Sequence, residues 1–384
     1  METTIRTYWL DKLETAWEQR SVLWLSGVRR VGKTVLCQSL DQIEYFDCEL
    51  PRVRQQLEDP QLFLENMRGK RIVLDEIHRL ANPSQLLKIA ADHFPETRVI
   101  ATGSSTLQAS ARFKDTLTGR KTEIWLTPMM SKDLEDFGDT NLAHRFKAGG
   151  LPPYFLSDNP RDNEYREWID SYWAKDIQEL FRLERHWSFQ RFLELLFINS
   201  GGIFEATKYA QPCEISRPTV SNYLNAMEAT WVAHVVRPYS THLPSEIVSA
   251  PKVYAFDTGF VCYFKGWQEL RSEDMGLFWE HYVLNEIQSR SQSGDVRYWR
   301  DKSGHEIDFV LLERGQAPIA IECKWSASAA KTQNLRAFRK RYPKGENWLV
   351  ANDVDRSFQR AEDGLKIEFI GINDLVRRLK AIYP

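Results

Sequence analysis

The stretch Gly27-Val28-Arg29-Arg30-Val31-Gly32-Lys33-Thr34 limits what this chain can become more than any other. An apolar run, Val22-Leu23-Trp24-Leu25, leads into it, and Val35-Leu36-Cys37-Gln38-Ser39-Leu40 follows. The pattern predicts a strand, a glycine-bounded loop and the first turns of a helix. Glycines let the backbone wrap closely around an anion, and the N–H groups that open a helix point toward it. The spacing is that of a phosphate-binding loop, in which Lys33 reaches the β- and γ-phosphates and the Thr34 hydroxyl helps hold Mg²⁺.

Two later strands supply what such a loop lacks. Arg71-Ile72-Val73-Leu74 runs into Asp75 and Glu76. Asp75 at the strand end can hold magnesium through water, and Glu76 can polarise the water that attacks the γ-phosphate. Arg98-Val99-Ile100-Ala101-Thr102-Gly103-Ser104-Ser105 is another strand with a polar tip. There Thr102 or Ser104 either bonds the γ-phosphate or is an ordinary turn residue. Leu117-Thr118-Gly119-Arg120 puts an arginine ahead of the strand Thr122–Leu126. Strands alternating with helices imply a mostly parallel sheet, with the ligand at the strands' carboxyl ends.

Composition limits the partners. Over 384 residues the formal charge is only −2, so contact with nucleic acid must be local. Five scattered cysteines without a CxxC pair predict reduced thiols in a cytoplasmic protein. No signal segment is evident, and no apolar run nears the ~18 residues of a membrane span. The thirteen tryptophans fall singly and are taken as core.

Past residue 140 the pattern changes. An amphipathic segment, Tyr165 to Leu183, predicts a helical bridge carrying Trp168, Tyr172, Trp173, Ile177 and Leu180, with Lys175 and Asp176 at its middle. Between Phe189 and Tyr239 come helix, helix, turn, helix, with Ser216 as N-cap of a helix that buries Val220, Leu224 and Met227 and presents Arg217, Thr219, Ser221, Asn222 and Asn225. Such a surface either enters a major groove or packs against protein. Farther on, Asp308 opens a hairpin whose second strand ends in Glu322-x-Lys324. Residues two apart in a strand share a face, so Glu322 and Lys324 project together, and Asp308 with Glu280 from a packed helix can converge on them. Carboxylates beside an ammonium suit phosphodiester hydrolysis assisted by Mg²⁺ or Mn²⁺. The same fold also serves as a binding module. The helix Lys331–Arg341 is rich in Lys and Arg and is either a phosphate-backbone contact or a solvated face.

The runs GVRRVGKT, VLDEIH, ATGSS, LTGR and LTPM resemble those of the prokaryotic AAA-type ATPases of the P-loop superfamily. More narrowly, the whole chain resembles the subgroup in which a winged helix and a PD-(D/E)xK nuclease-like domain follow the nucleotide domain. It departs from that pattern in carrying Ile307, not proline, before Asp308. The resemblance implies ATP and Mg²⁺ as cofactors, with Gly27, Arg30, Gly32, Lys33, Thr34, Val35, Asp75, Thr102 and Ser104 binding nucleotide. It gives Glu76 a catalytic role and offers Arg120 or Arg112 as the arginine acting in trans within a homo-oligomer. Asp176 is a favoured position without assigned chemistry. At the nuclease-like site it implies Asp308, Glu322 and Lys324 as catalytic, with Glu280, Asp308 and Glu322 as metal ligands. The expected organisation is α/β: an ATPase domain with a parallel sheet at 1–140, a helical bridge at 141–188, a winged helix at 189–258 and a nuclease-like domain at 259–384. The expected function is ATP binding and hydrolysis coupled to engagement, and cleavage, of DNA. The alternative is an ATP-dependent switch whose C-terminal modules only dock.

Overall fold

A computed structural model describes residues 4–103, 116–157, 162–178, 185–240, 250–293, 295–312, 315–362 and 364–383. The chain forms two units. The first runs to Thr140 and adds Leu151–His186 and Asn225–Val232; the second holds Asn141–Gly150, Trp187–Leu224 and everything from Ala233. These limits do not follow the four expected segments, because short stretches of the bridge and of the helix-turn-helix region are shared between units.

In the first unit, strands β1 (Val22–Ser26), β2 (Ile43–Asp47), β3 (Arg71–Asp75), β4 (Arg98–Thr102) and β5 (Lys121–Trp125) form a sheet in the order β2-β3-β4-β1-β5. Each neighbouring pair is parallel, as the strand–helix alternation predicts. All five residues of β1 are buried, which fits a strand covered on both faces. After β1 the chain crosses to β2 at the far edge, so β1 lies at a switch point, where a crevice opens at the carboxyl ends of the strands. The lead-in helix Thr7–Gln19 buries Trp9, Leu13, Ala16 and Trp17.

The second unit holds a mixed sheet of β6 (Gly202–Ile203), β7 (Ala233–Pro238), β8 (Lys252–Ala255), β9 (Arg297–Arg300), β10 (Glu306–Leu311), β11 (Ile319–Lys324), β12 (Asn347–Ala351), β13 (Phe358–Glu362) and β14 (Leu365–Ile370). Among the described residues the order is β13-β14-β12-β11-β10-β9-β7-β8-β6. Strands β7 and β8 pair antiparallel, and β7 also pairs parallel with β9, so this pair is continuous with the C-terminal sheet. In the helix Arg217–Ala229, Val220, Leu224 and Met227 are buried, while Arg217, Ser221, Asn222 and Asn225 are exposed.

Two helices differ from their sequence patterns. Met275–Ser291 carries several polar and charged residues yet is buried almost all round, including Glu286 and Arg290, because it packs against both β11 and the helix Ile372–Ile382. Gln333–Arg341 does not keep all its cations for phosphate. Arg339 is buried, donating to the Pro318 carbonyl at 3.0 Å, to Asn347 Oδ1 at 2.6 Å and to further backbone carbonyls. Burial pushes it down to about 10. No helix among the described residues is long and apolar enough to cross a membrane.

Candidate functional site

The loop after β1 depends on its glycines. Gly27 has φ +144°, and a Cβ there would lie 2.6 Å from the Leu126 carbonyl oxygen. Gly32, at φ +101°, turns the chain into the helix Lys33–Gln38. Lys33 Nζ donates to the carbonyls of Gly27 at 2.8 Å and Val28 at 3.2 Å. Burial lowers the Lys33 pKa, opposed by Glu76, Asp176 and Asp75. Outside the loop, Arg6 donates to the Val31 carbonyl at 3.0 Å while its guanidinium pairs with Asp133 at 2.6 Å.

Asp75, at the end of β3, is buried and accepts three hydroxyls: Thr34 Oγ1 at 3.0 Å, Tyr45 from the edge strand β2, and Thr102 from β4. Thr102 Oγ1 also accepts the Glu76 N–H at 3.2 Å, so the residue expected to sense phosphate ties the two acids together. Glu76 has φ +53°, and its Oε2 lies 3.1 Å from His78 Nδ1. Burial raises Glu76, but His78 and Lys33 outweigh it and the net shift is downward.

Thr34 and Glu76 line a cavity of about 820 Å³ together with the loop residues Gly27 to Leu36, Val35 and Arg30 included, and Asp75 bonds Thr34 at its wall. Arg30 NH1 donates to the Tyr154 hydroxyl at 3.2 Å. Sequence reasoning missed the opposite wall, made by Pro152, Leu156, Trp168, Tyr172, Asp176 and Thr230. A signal was present: Trp168, Tyr172 and Asp176 recur every four residues, which sets an acid on an aromatic stripe. Arg120 does not line this cavity; its Nε donates to Asp92 at 2.7 Å. Ser104 and Arg112 lie outside the described residues. The donors suit a nucleotide with Mg²⁺: a glycine-shaped anion loop, a lysine, and the oxygens of Thr34 and Asp75.

The second expected constellation assembles in part. Phe309 pairs with Ile321 across the β10–β11 hairpin, so one step on, Asp308 stands opposite Glu322 on one face. Lys324 Nζ lies 2.8 Å from Glu322 Oε2 and 3.9 Å from Asp308 Oδ2, and the Cys323 N–H donates to Asp308 at 2.8 Å. Burial, then the mutual repulsion of the two acids, pushes Glu322 up to about 8; burial and Glu280 raise Asp308. Glu280 is engaged elsewhere. Buried Lys252 sets its ammonium 2.8 Å from both Glu280 and Glu306, and the Tyr254 hydroxyl donates to the same Glu280 oxygen. Among the described residues no group of three or more His, Cys, Asp or Glu side chains is disposed to hold a metal. The donor set does not fit the three-carboxylate metal site expected from the sequence, because a built-in cation has taken one of its members.

Three family models match in succession: an AAA domain over 19–134, Domain of unknown function (DUF8612) over 139–271, and Domain of unknown function (DUF4143) over 275–374. Uncharacterized protein Rv2008c of Mycobacterium tuberculosis is 24% identical over 336 residues, covering 85% of this chain and 75% of its own. An uncharacterized protein of Haemophilus influenzae is 21% identical over 354 residues, covering 83% and 87%. Of solved structures, the Walker-type ATPase PABY2304 of Pyrococcus abyssi aligns with 68% of this chain and 96% of its own, at 15% identity and a TM-score of 0.45. With the loop, the parallel sheet and the matching family model together, residues 19–134 are an AAA domain of the P-loop ATPase type.

Proposed function

We propose that the chain binds ATP with Mg²⁺ in the Gly27–Thr34 cavity, hydrolyses it, and uses the nucleotide state to control what its C-terminal unit engages. The observation that carries this reading is the hydrogen-bonded chain Thr34–Asp75–Thr102–Glu76, whose two ends, Thr34 and Glu76, line the same cavity as Lys33. The magnesium ion, when bound, supplies charge neutralisation for phosphoryl transfer. Thr34 and Asp75 would hold it. Lys33 would turn from the loop carbonyls to the phosphates. Glu76, kept ionised and oriented by His78, is the group able to accept a proton from water. Arg120 faces away from its own chain's cavity, which suits an arginine presented to a second copy in a homo-oligomer.

The C-terminal unit we read as a docking module for DNA, with the exposed face of Arg217–Ala229 as one contact. Metal-dependent cleavage of DNA, by Mg²⁺ or Mn²⁺, is the second reading, favoured by the convergence of Asp308, Glu322 and Lys324. The capture of Glu280 by Lys252 speaks against it.

The test is ATP binding by calorimetry together with phosphate release. Lys33→Ala should abolish measurable binding. Glu76→Gln should bind ATP normally and hydrolyse it about 10²–10⁴-fold more slowly. Wild-type protein that neither binds nor hydrolyses ATP would overturn the reading. Divalent-dependent nicking of plasmid, lost in Asp308→Ala, would establish the second.

A further inference from the structure

Resting on that nucleotide reading, we infer that Asp176 sets the affinity of the site, because its carboxylate holds on Arg29 the position that a phosphate oxygen of the incoming nucleotide takes. Asp176 belongs to the five-residue π-helical segment Trp173–Ile177, which prolongs the helix Asp162–Tyr172. Single π turns inside helices recur at functional sites, since they put a side chain out of the ordinary helical register. Asp176 is buried, and its Oδ2 accepts the Nε–H of the loop residue Arg29 at 2.5 Å.

The pair is held from both sides. Trp168 Nε1 donates to the Arg29 carbonyl at 3.1 Å, and the Tyr172 hydroxyl bonds Thr230 Oγ1 at 2.6 Å. Asp176 lines the cavity with Lys33 and Glu76, drawn by the first and repelled by the second. Burial raises its pKa, against the pull of Arg29. A buried anion is thus fixed at a loop shaped to receive anions. It shares its cation with any phosphate that enters, and it repels that phosphate. Arg29 keeps 30% of its side chain exposed, so a ligand can reach it.

The competition concerns phosphate charge and not the base. Neutralising Asp176 should therefore tighten ATP binding, an effect that damage to a merely structural residue would not give. The experiment is calorimetric titration of wild type, Asp176→Asn and Asp176→Glu with ATP, ADP and adenosine. Asp176→Asn should bind ATP about tenfold more tightly, a coupling of ordinary size for two ligands of one site. ADP should gain less and adenosine nothing, and Asp176→Glu should stay near wild type. Arg29→Met provides a second route if Asp176→Asn does not fold: removing the shared cation should weaken ATP and leave adenosine unchanged. Equal or weaker ATP binding by a folded Asp176→Asn, or unchanged ATP affinity in Arg29→Met, would overturn the inference while the nucleotide reading stands. Wild type that binds no ATP overturns both.

Discussion

The phosphate-loop cavity and the Asp308–Glu322 cluster both set a lysine among carboxylates, and they balance the charge in opposite ways. In the cavity, Lys33 rests on backbone carbonyls and Asp75 is held by three hydroxyls. Every one of those partners is neutral, so both formal charges remain for a ligand to use. In the C-terminal cluster, Lys252 bridges Glu280 and Glu306, and Lys324 bonds Glu322. There each lysine already has a carboxylate partner within the chain. Neutral donors around a charged group prepare it for an outside partner, whereas opposite charges around it supply the partner in advance.

The largest expected effect falls on the cluster. Lys252→Met takes the buried ammonium away from two half-buried carboxylates and should cost about 2–3 kcal/mol, read from the urea midpoint. Adding Glu280→Gln should restore part of it, because the Tyr254 hydroxyl can still donate to the amide oxygen. Lys33→Ala, by contrast, breaks hydrogen bonds to carbonyls only and no paired carboxylate, and should move the midpoint less. A cost below about 1 kcal/mol for Lys252→Met would mean that the ammonium is not needed as a counter-charge, and the comparison would fail.

The units should also differ in acid. Burial lowers His281 in the second unit to about 3, from an ordinary 6.5, with the nearby His234 adding to the shift. Between those values the unfolded chain binds a proton that the native state does not, so His281 costs stability as pH falls. At pH 5 this amounts to about 2 kcal/mol. Asp176 in the first unit is shifted the other way: its raised pKa costs stability when it is charged, and acid relieves that cost. Stability measured for wild type and His281→Gln from pH 7 to pH 5 should show wild type losing ground to the variant. A constant gap would remove His281 as the cause.

How far each site was legible follows from how local it is. Gly27, Gly32, Lys33 and Thr34 lie within one short loop, and Asp75 and Thr102 end strands adjacent in the sheet, so their proximity stood in the spacing. Asp308 and Glu322 were legible because hairpin register puts them face to face. What was not legible came from tertiary packing. Arg29 and Asp176 are 147 residues apart, and an amphipathic stripe reveals that Trp168 and Tyr172 are buried without revealing against what. The tie of Glu280 to Lys252 needed a helix laid over β8. Arg339 read as one more surface cation until the carbonyls around it closed its fork.

The smallest effect tests the comparison most finely. Tyr45 comes from the edge strand β2, and its hydroxyl shares Asp75 Oδ2 with Thr34. Tyr45→Phe removes one neutral donor and leaves the carboxylate charge and two hydroxyl partners intact. The expected loss in Mg²⁺-dependent ATP affinity is about 1 kcal/mol, roughly fivefold. Asp75→Asn keeps the shape and removes the charge, so it should abolish the magnesium-dependent part of binding. If the two variants lost affinity equally, orientation by hydroxyls and not the retained charge would define the site. The contrast with the lysine-paired cluster would then rest on hydrogen-bond geometry alone.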